Sequence, residues 1–173
     1  GCGTGRLTLR FSDWFEQTVG IDLEAEMIEE ATRLQKELRV ENVQWFNGEL
    51  EEYKERNNDK FRLVTIAKAF HWMEREKLLE SLYEIIPVGG GIAIIDDYSP
   101  NKILQPWQQK VQEIVKQWYG SERKAGNSVY FHPKLSHEAI VESSKFSLEK
   151  HQVPPYTHHW TIESIIGNLY STS

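Results

Sequence analysis

The sequence predicts an α/β fold built on a mostly parallel sheet. Short apolar runs typical of buried strands alternate along the chain with longer amphipathic stretches typical of helices. The clearest apolar run, at residues 92–97, directly follows three glycines that end a predicted helix. The chain has 173 residues, of which 39% are hydrophobic, so it can bury one core and form one domain.

The first five predicted elements alternate regularly. Residues 6–17 carry apolar side chains near helical spacing, and residues 18–22 predict a short strand that ends in an acid. Residues 24–38 predict the most regular helix, because their apolar side chains share one face. Residues 43–46 predict a strand that ends at an Asn-Gly pair, and residues 50–56 predict a short helix.

The alternation continues through the middle of the chain. Residues 61–67 predict a strand and residues 74–86 an amphipathic helix, which a Pro-Val-Gly-Gly-Gly sequence ends. Residues 92–97 then predict the most apolar strand, because four of them are isoleucine or alanine. Residues 103–119 predict a helix that contains two tryptophans.

The last part of the chain predicts three elements. Residues 134–143 predict a helix and residues 146–153 a strand, after which two consecutive prolines break the chain. Residues 161–170 predict a final helix, in which the Thr161 hydroxyl can accept from a free backbone N–H and cap the start. No strand is predicted after this helix.

Charge and cysteine content argue against several classes of protein. A net charge of -6 argues against a binder of nucleic acid or of anionic membranes, because such proteins usually carry a basic surface. The single cysteine, Cys2, excludes an internal disulfide and suits a reducing compartment. The sequence has no apolar run of about 18 residues and no secretory signal at its start, so we expect a cytoplasmic protein.

The strongest functional signal is the G-x-G-x-G loop at residues 1–5. Glycines at alternate positions allow a tight turn and a close approach of the backbone to a ligand. A following helix points free N–H groups at that ligand, which suits either a dinucleotide or S-adenosylmethionine. The dinucleotide fingerprint G-x-G-x-x-G requires a small residue where this chain has Arg6, whereas Gly5 comes one position too early. The spacing therefore favours S-adenosylmethionine.

Five motifs in order resemble those of the class I S-adenosylmethionine-dependent methyltransferases, in particular the small-molecule branch related to trans-aconitate methyltransferases. They are G-C-G-T-G-R at residues 1–6, G-I-D-L at 20–23 with Met27, G-E-L-E at 48–51, the segment 61–72 that ends in A-F-H-W, and P-V-G-G-G at 87–91. The resemblance implies a Rossmann-like, doubly wound sheet with flanking helices. It also divides a single domain, 1–173, into a cofactor-binding half, 1–97, and a second part, 98–173, that shapes the acceptor pocket.

The sequence departs from the family pattern at its start. Family members have an acid two residues before the first glycine, on a central first strand, and this sequence contains neither. We therefore expect a sheet that lacks its first strand. The last strand of the family has no evident counterpart after residues 161–170.

The resemblance assigns the loop and the following strand end to the cofactor. The backbone of Gly1, Cys2, Gly3 and Gly5 would line its methionine part. The Asp22 carboxylate ends the strand at residues 18–22, where it can accept hydrogen bonds from both ribose hydroxyls.

Further cofactor contacts are implied at two other strand ends. Leu23 and Met27 could pack on the adenine ring. In the turn that contains Gly48, Glu49 resembles the acid that accepts from the adenine amino group, and the Leu50 N–H could donate to the ring.

Residues after the strand at 61–67 would lie near the reacting methyl group. The carbonyls of Ala67 and Lys68 could hold the methionine amino group, with the cationic Lys68 side chain pointing away. His71 has two interpretations: a general base or substrate-orienting group, or a histidine that positions its loop by hydrogen bonding.

Other reactive side chains predict little chemistry. His158 and His159 lack the spacing of metal ligands, so no metal site is predicted. Cys2 has no predicted base partner and should pack beneath the loop. An anionic acceptor could meet charged residues of the second part, although a solvated loop explains them more simply; they are Lys116, Arg123, Lys124 and His132.

These observations predict a methyl transfer from S-adenosylmethionine to an O, N or C atom of a small molecule. The reaction is an SN2 displacement that releases S-adenosylhomocysteine, and alignment can supply much of its rate. Two alternatives remain open: a truncated, non-catalytic fragment that binds cofactor weakly, and a nucleotide-binding oxidoreductase, against which Arg6 argues.

Overall fold

The fold contains two pairs of parallel strands joined by helical crossovers. β1 (Thr18–Asp22) pairs with β2 (Val43–Asn47), and β3 (Leu63–Ala67) pairs with β4 (Gly91–Ile95), in unbroken five-residue registers. Parallel strands need such crossovers, and the helices between them supply them. This computed structural model describes residues 1–96, 103–120, 124–125, 128–129, 135–154 and 157–171.

The helices occupy the positions between and after these strands. They are α1 (Arg6–Phe11), α2 (Ala25–Leu38), α3 (Leu50–Arg56), α4 (Arg75–Ile85), α5 (Pro106–Tyr119), α6 (His137–Glu142) and α7 (Ile162–Ser171). Single 3-10 turns cover Ser12–Trp14 and Phe70–Trp72, and a short antiparallel pair joins β5 (Lys124–Ala125) to β6 (Ser128–Val129). Every described helix is too short or too polar to cross a membrane.

The main core lies on one side of β3 and β4. Leu79 and Leu82 of α4 are almost completely buried there, together with Phe70 from the turn after β3. Ile140 and Val141 of α6 belong to the same core. Helix α6 is therefore packed against the pair β3–β4.

The helix predicted at residues 6–17 ends early, at Phe11, and this corrects the sequence prediction. The Asn42 amide nitrogen donates to the carbonyls of Ser12 and Phe15, both at 2.8 Å. The Ser12 hydroxyl also donates to the Leu9 carbonyl at 2.7 Å. These bonds hold the backbone in a 3-10 turn and then in an extended conformation at Phe15. A side chain 27 to 30 residues away thus overrides the local helical pattern.

The strand predicted at residues 146–153 is also wrong, because residues 147–154 form no regular structure. Leu148 is 39% exposed and Val153 is 78% exposed, so the apolar alternation does not meet a sheet. The predicted helix at 134–143 begins later, at His137, because the Ser136 hydroxyl accepts from the Ala139 N–H at 3.2 Å and fixes the cap. The predicted cap at Thr161 is confirmed by a 3.2 Å bond from the Ser164 N–H.

A wide cavity separates the two strand pairs. Among the described residues, β1 pairs only with β2, and β3 pairs only with β4. The cavity has a volume of about 1360 Å³ and is lined by residues of both β1 and β3, such as Val19, Ile21, Val64 and Ile66. The described residues supply no strand between the pairs.

Candidate functional site

The glycine loop turns sharply and leads directly into α1. Gly3 and Gly5 both adopt left-handed backbone angles, with φ of 55° and 75°. The Gly5 N–H donates to the Cys2 carbonyl at 3.1 Å, and the Gly5 carbonyl accepts the first helical bond from Leu9 at 2.8 Å. Left-handed angles cost L-residues energy that glycine does not incur, so the loop sequence suits this turn.

Trp45 of β2 packs against this loop, a contact that sequence patterns did not indicate. A Cβ atom on Gly5 would lie 2.2 Å from the Trp45 ring, and one on Gly20 would lie 2.3 Å from it. The indole N–H donates to the Gln35 side chain at 2.6 Å, and the Gln35 amide nitrogen donates to the Val43 carbonyl at 3.0 Å. The ring is therefore fixed, and only glycine fits at these two positions.

Asp22 lies where the sequence predicted a ribose ligand, and it also holds the loop. Its Oδ2 accepts from the Gly3 N–H at 2.6 Å and its Oδ1 accepts from the Glu24 N–H at 3.1 Å. The residue is 8% exposed. Because each carboxylate oxygen can accept more than one hydrogen bond, Asp22 can bind ribose hydroxyls while it keeps these contacts.

Asn47 aligns the ends of β1 and β2 and was missed in the sequence. Its side-chain amide donates to the carbonyls of Asp22 and Leu23 at 3.0 and 2.8 Å. The Gly48 N–H also donates to the Asp22 carbonyl at 2.9 Å. The turn after β2 is thereby held beside the proposed ribose ligand, and an Asn after a strand is the signal that could have identified it.

The residues assigned to adenine follow the ends of β1 and β2. Leu23, next to Asp22 in the chain, is 64% exposed, and Met27, in the first turn of α2, is 37% exposed. Glu49 begins α3 and is exposed, and its N–H donates to the Glu52 carboxylate at 3.0 Å. Leu50 is half-buried behind it. Exposed apolar side chains and an exposed carboxylate are the kinds of group that can bind a purine with an amino group.

The end of β3 lies close to the glycine loop. A Cβ atom on Gly1 would lie 2.9 Å from the Ala69 Cβ and 3.4 Å from the Met73 Cε. Ala67 is the last residue of β3, and Lys68 follows with a left-handed φ of 55°. The Lys68 ammonium lies 3.6 Å from an Asp96 oxygen, so this side chain is directed to the end of β4.

His71 belongs to a buried polar cluster, here called the His71 cluster, formed by His71, Asp96, His137 and Arg75. The His71 Nδ1 lies 2.9 Å from the Asp96 Oδ2, and the His137 Nε2 lies 3.3 Å from the same oxygen. The Arg75 guanidinium donates to the His137 Nδ1 at 3.2 Å and to the Leu135 carbonyl at 3.0 Å. Burial lowers the pKa of His137, and the nearby Arg75 lowers it further, although hydrogen bonding to Asp96 opposes this. His137 is therefore favoured in its neutral form.

Sequence patterns did not bring this cluster together. Asp96 lay within the predicted strand 92–97, but the strand ends at Ile95, so Asp96 is a residue at a strand's carboxyl end like Asp22. His137 is 41 residues away from Asp96 along the chain and reaches it only because α6 packs on the core. The acid at the strand end is the signal that could have been used.

Cys2 has the environment of an inert thiol. Its sulfur lies 3.1 Å from where a Cβ on Gly20 would be. Burial raises the pKa of the Cys2 thiol to about 11, and the Asp22 carboxylate adds to this rise. The predicted packing role is favoured over a nucleophilic one, since the thiolate is the reactive form.

The charged residues considered for an acceptor lie mostly outside the described part of the chain. Lys116 is exposed on α5. Arg123 and His132 lie outside the described residues, as does the side chain of Lys124.

Comparisons with known proteins agree with this geometry. A family model described as a methyltransferase domain matches residues 1–90. The uncharacterised methyltransferase YcgJ of Bacillus subtilis is 29% identical over 101 residues, which cover 58% of this chain and 40% of that protein. The probable S-adenosylmethionine-dependent methyltransferase CRG1 of Saccharomyces cerevisiae is 28% identical over 94 residues, which cover 54% of this chain and 32% of that protein.

A solved structure supports the same relationship. The crystal structure of YcgJ from Bacillus subtilis matches with a TM-score of 0.52 and 25% identity, over 69% of this chain and 48% of that one. The chain spans less than half the length of these two curated relatives. Since the family model covers more than half of its 173 residues, the chain belongs to the S-adenosylmethionine-dependent methyltransferases, with their Rossmann-like fold.

Proposed function

We propose that this chain contributes the cofactor site and part of the acceptor site of an enzyme that methylates a small molecule at an O, N or C atom. The observation that carries the proposal is the joining of the glycine loop to Asp22. The loop has two left-handed glycines, and the Gly3 N–H donates to the Asp22 carboxylate at 2.6 Å. The exposed Leu23 follows this acid directly, and the exposed Met27 lies in the first turn of α2.

The residues present fit S-adenosylmethionine part by part. The loop backbone can approach the methionine portion closely, because Gly1 and Gly3 present no side chain. Asp22 can accept from the ribose hydroxyls, and Leu23 and Met27 offer exposed apolar side chains for the adenine. When bound, the cofactor supplies an electrophilic methyl carbon on a sulfonium, whose carbon–sulfur bond breaks as the acceptor's lone pair attacks.

A small acceptor is favoured over nucleic acid or a membrane. The net charge of -6 disfavours binding to polyanions. The single cysteine, Cys2, is half-buried and suits a reducing cytoplasm, which is where we expect the enzyme to act.

The proposal is tested by calorimetric titration of S-adenosylhomocysteine into the wild-type chain and into Asp22→Ala and Asp22→Asn variants. We expect wild-type binding, and a loss of affinity of about 10- to 100-fold in Asp22→Ala, because charge-assisted hydrogen bonds to ribose are removed. Asp22→Asn keeps an acceptor for the Gly3 N–H and should lose affinity with little change in melting temperature.

The matched control is Glu41→Ala, an exposed acid just before β2, at the opposite edge of the sheet. Its affinity should equal that of the wild type. Wild-type chain that binds neither S-adenosylhomocysteine nor a nicotinamide dinucleotide would show a non-binding fragment. Binding of the dinucleotide alone would favour an oxidoreductase.

A further inference from the structure

The His71 cluster lies beside the proposed cofactor loop. Gly1 approaches Ala69 and Met73, which lie two residues before and two residues after His71. The side chains of His71, Asp96 and His137 are 17%, 6% and 11% exposed, so the cluster is well shielded from water. Two imidazoles thus share one carboxylate next to the expected position of the reacting methyl group.

The hydrogen bond from Arg75 fixes the proton on His137. A guanidinium has only donors, so the His137 Nδ1, 3.2 Å away, must offer a lone pair. In neutral His137 the proton is then on Nε2, and it is donated to the Asp96 Oδ2 at 3.3 Å.

The same bond argues against a metal ion held by the two histidines and Asp96. Three of their ligand atoms lie within 4.8 Å of one another, which is the spacing of a cation site. A histidine that binds a metal through Nε2 normally donates its Nδ1 proton to an acceptor, whereas here Nδ1 faces the donor Arg75. The Lys68 ammonium, 3.6 Å from the Asp96 Oδ1, adds a second positive charge. The cluster is therefore better suited to holding and transferring protons than to binding a metal ion.

We infer that Asp96 positions His71 as the general base of methyl transfer, and that His137, itself held by Arg75, holds Asp96 in place. This inference rests on the proposed methyltransferase function. The Asp96 carboxylate only accepts, so the His71 Nδ1 at 2.9 Å carries the proton and the Nε2 of neutral His71 carries the lone pair. The two histidines thus hold opposite tautomers around one carboxylate.

The resulting step balances without any other reagent. The His71 Nε2 takes the proton from the acceptor's O–H or N–H, and the electrons of that bond stay on the acceptor atom. A lone pair of the same O or N atom forms the new bond to the methyl carbon. The pair of the broken carbon–sulfur bond stays on sulfur. Asp96 stabilises the imidazolium that forms, as a carboxylate does in other histidine-based sites. The acceptor class is therefore a hydroxyl or an amine that must lose a proton, and carboxylates, which need no base, are excluded.

The tautomers are tested first by ¹⁵N NMR of the histidine side chains in this chain, with His71→Gln and His137→Gln used for assignment. At a pH where both rings are neutral, we expect protonated Nδ1 in His71 and protonated Nε2 in His137. The same tautomer in both rings would overturn the inference. So would stoichiometric zinc binding that requires both histidines.

The catalytic role is tested in the active enzyme with a hydroxyl or amine acceptor. We expect His71→Gln to lower kcat by about 100-fold, the usual contribution of a general base. Asp96→Asn should lower it by about 10- to 100-fold, as loss of a group that orients a histidine does. The KM for S-adenosylmethionine and the affinity for S-adenosylhomocysteine should not change. His151→Gln, at a side chain 79% exposed and paired with Glu149, is the matched control with unchanged kcat.

A pH profile separates this role from a structural one. Within the described part of the chain, Lys68, His137 and Arg75 are charged or titratable groups that face the His71–Asp96 pair, and all of them remain in both variants. With a phenol as the acceptor, raising the pH ionises the acceptor itself, so the activity of His71→Gln should recover towards wild type. A deficit that stays constant with pH, or equal loss for a carboxylate acceptor, would overturn the inference, whereas failure of the wild type to bind S-adenosylhomocysteine would overturn the proposed function instead.

Discussion

At the residue scale, single acidic side chains in this site hold more than one partner at once. Asp22 accepts from the loop through Gly3 and from the next helix through Glu24, and is still placed for ribose. Asp96 is shared by His71 and His137. Both acids come at the carboxyl end of a strand, where parallel sheets gather their ligands.

The environment of Cys2, close to Asp22, lowers the reactivity of its thiol. Its pKa is raised from 9.0 to about 11, mainly by burial. At pH 8.5 the thiolate fraction should be about 100-fold smaller than in unfolded chain, so alkylation by iodoacetamide should be about 100-fold slower in buffer than in urea. Equal rates, with the folded circular dichroism spectrum intact, would contradict the assigned burial.

The raised pKa of Cys2 also determines the direction in which stability changes with pH. Between pH 9 and 11 the folded chain binds the Cys2 proton more tightly than the unfolded chain does. The free energy of unfolding should therefore fall as pH rises through this window, and Cys2→Ala should remove that part of the slope.

At the element scale, the contact between the glycine loop and β2 determines which residues the loop tolerates. Gly3 and Gly5 have similar left-handed angles, but only Gly5 lies against Trp45. Gly3→Ala therefore meets backbone strain alone, whereas Gly5→Ala meets strain and a clash. We expect Gly5→Ala to reduce the free energy of unfolding by about 1–3 kcal/mol more than Gly3→Ala does, measured by urea titration.

A double-mutant cycle gives the control for this prediction. Trp45→Leu removes the ring, so Gly5→Ala in that background should cost about as much as Gly3→Ala. If the two glycine variants lower the free energy of unfolding equally in the wild-type background, the Trp45 ring moves aside without an energetic penalty.

The sequence predicted elements well where local pattern and tertiary packing agree. The helix bounds of α3 are those predicted, and β1 matches as well. The prediction failed at residues 6–17, where the distant Asn42 side chain donates hydrogen bonds to two carbonyls. It also failed at residues 146–153, where the apolar alternation is not part of a strand. The spacing of apolar residues in a sequence shows neither a hydrogen bond from a distant side chain nor whether a neighbouring strand is present.

The candidate site also contains residues that the sequence could place and residues that it could not. Its cofactor residues follow one another in short motifs, so the resemblance could place them. The His71–Asp96–His137 arrangement depends on how α6 packs on the core, and no local pattern contains that information.

At the scale of the whole molecule, the two strand pairs face each other across a cavity of about 1360 Å³. Among the described residues, β1 pairs with β2 only and β3 pairs with β4 only. Amides of β1 and β3 that face the cavity should thus exchange quickly with solvent deuterium, whereas those that face β2 and β4 should be protected like the amides of α4. Full protection along both strands would show that another chain segment, such as a second copy, covers these edges.

The bond from Arg75 to the Leu135 carbonyl also links two parts of the chain. Arg75 lies within residues 1–90, which the family model covers, whereas Asp96, Leu135 and His137 lie beyond them. A change in α6 that moved Leu135 or His137 would therefore remove hydrogen-bond partners of Arg75 and would be felt at the start of α4, within the matched part of the chain.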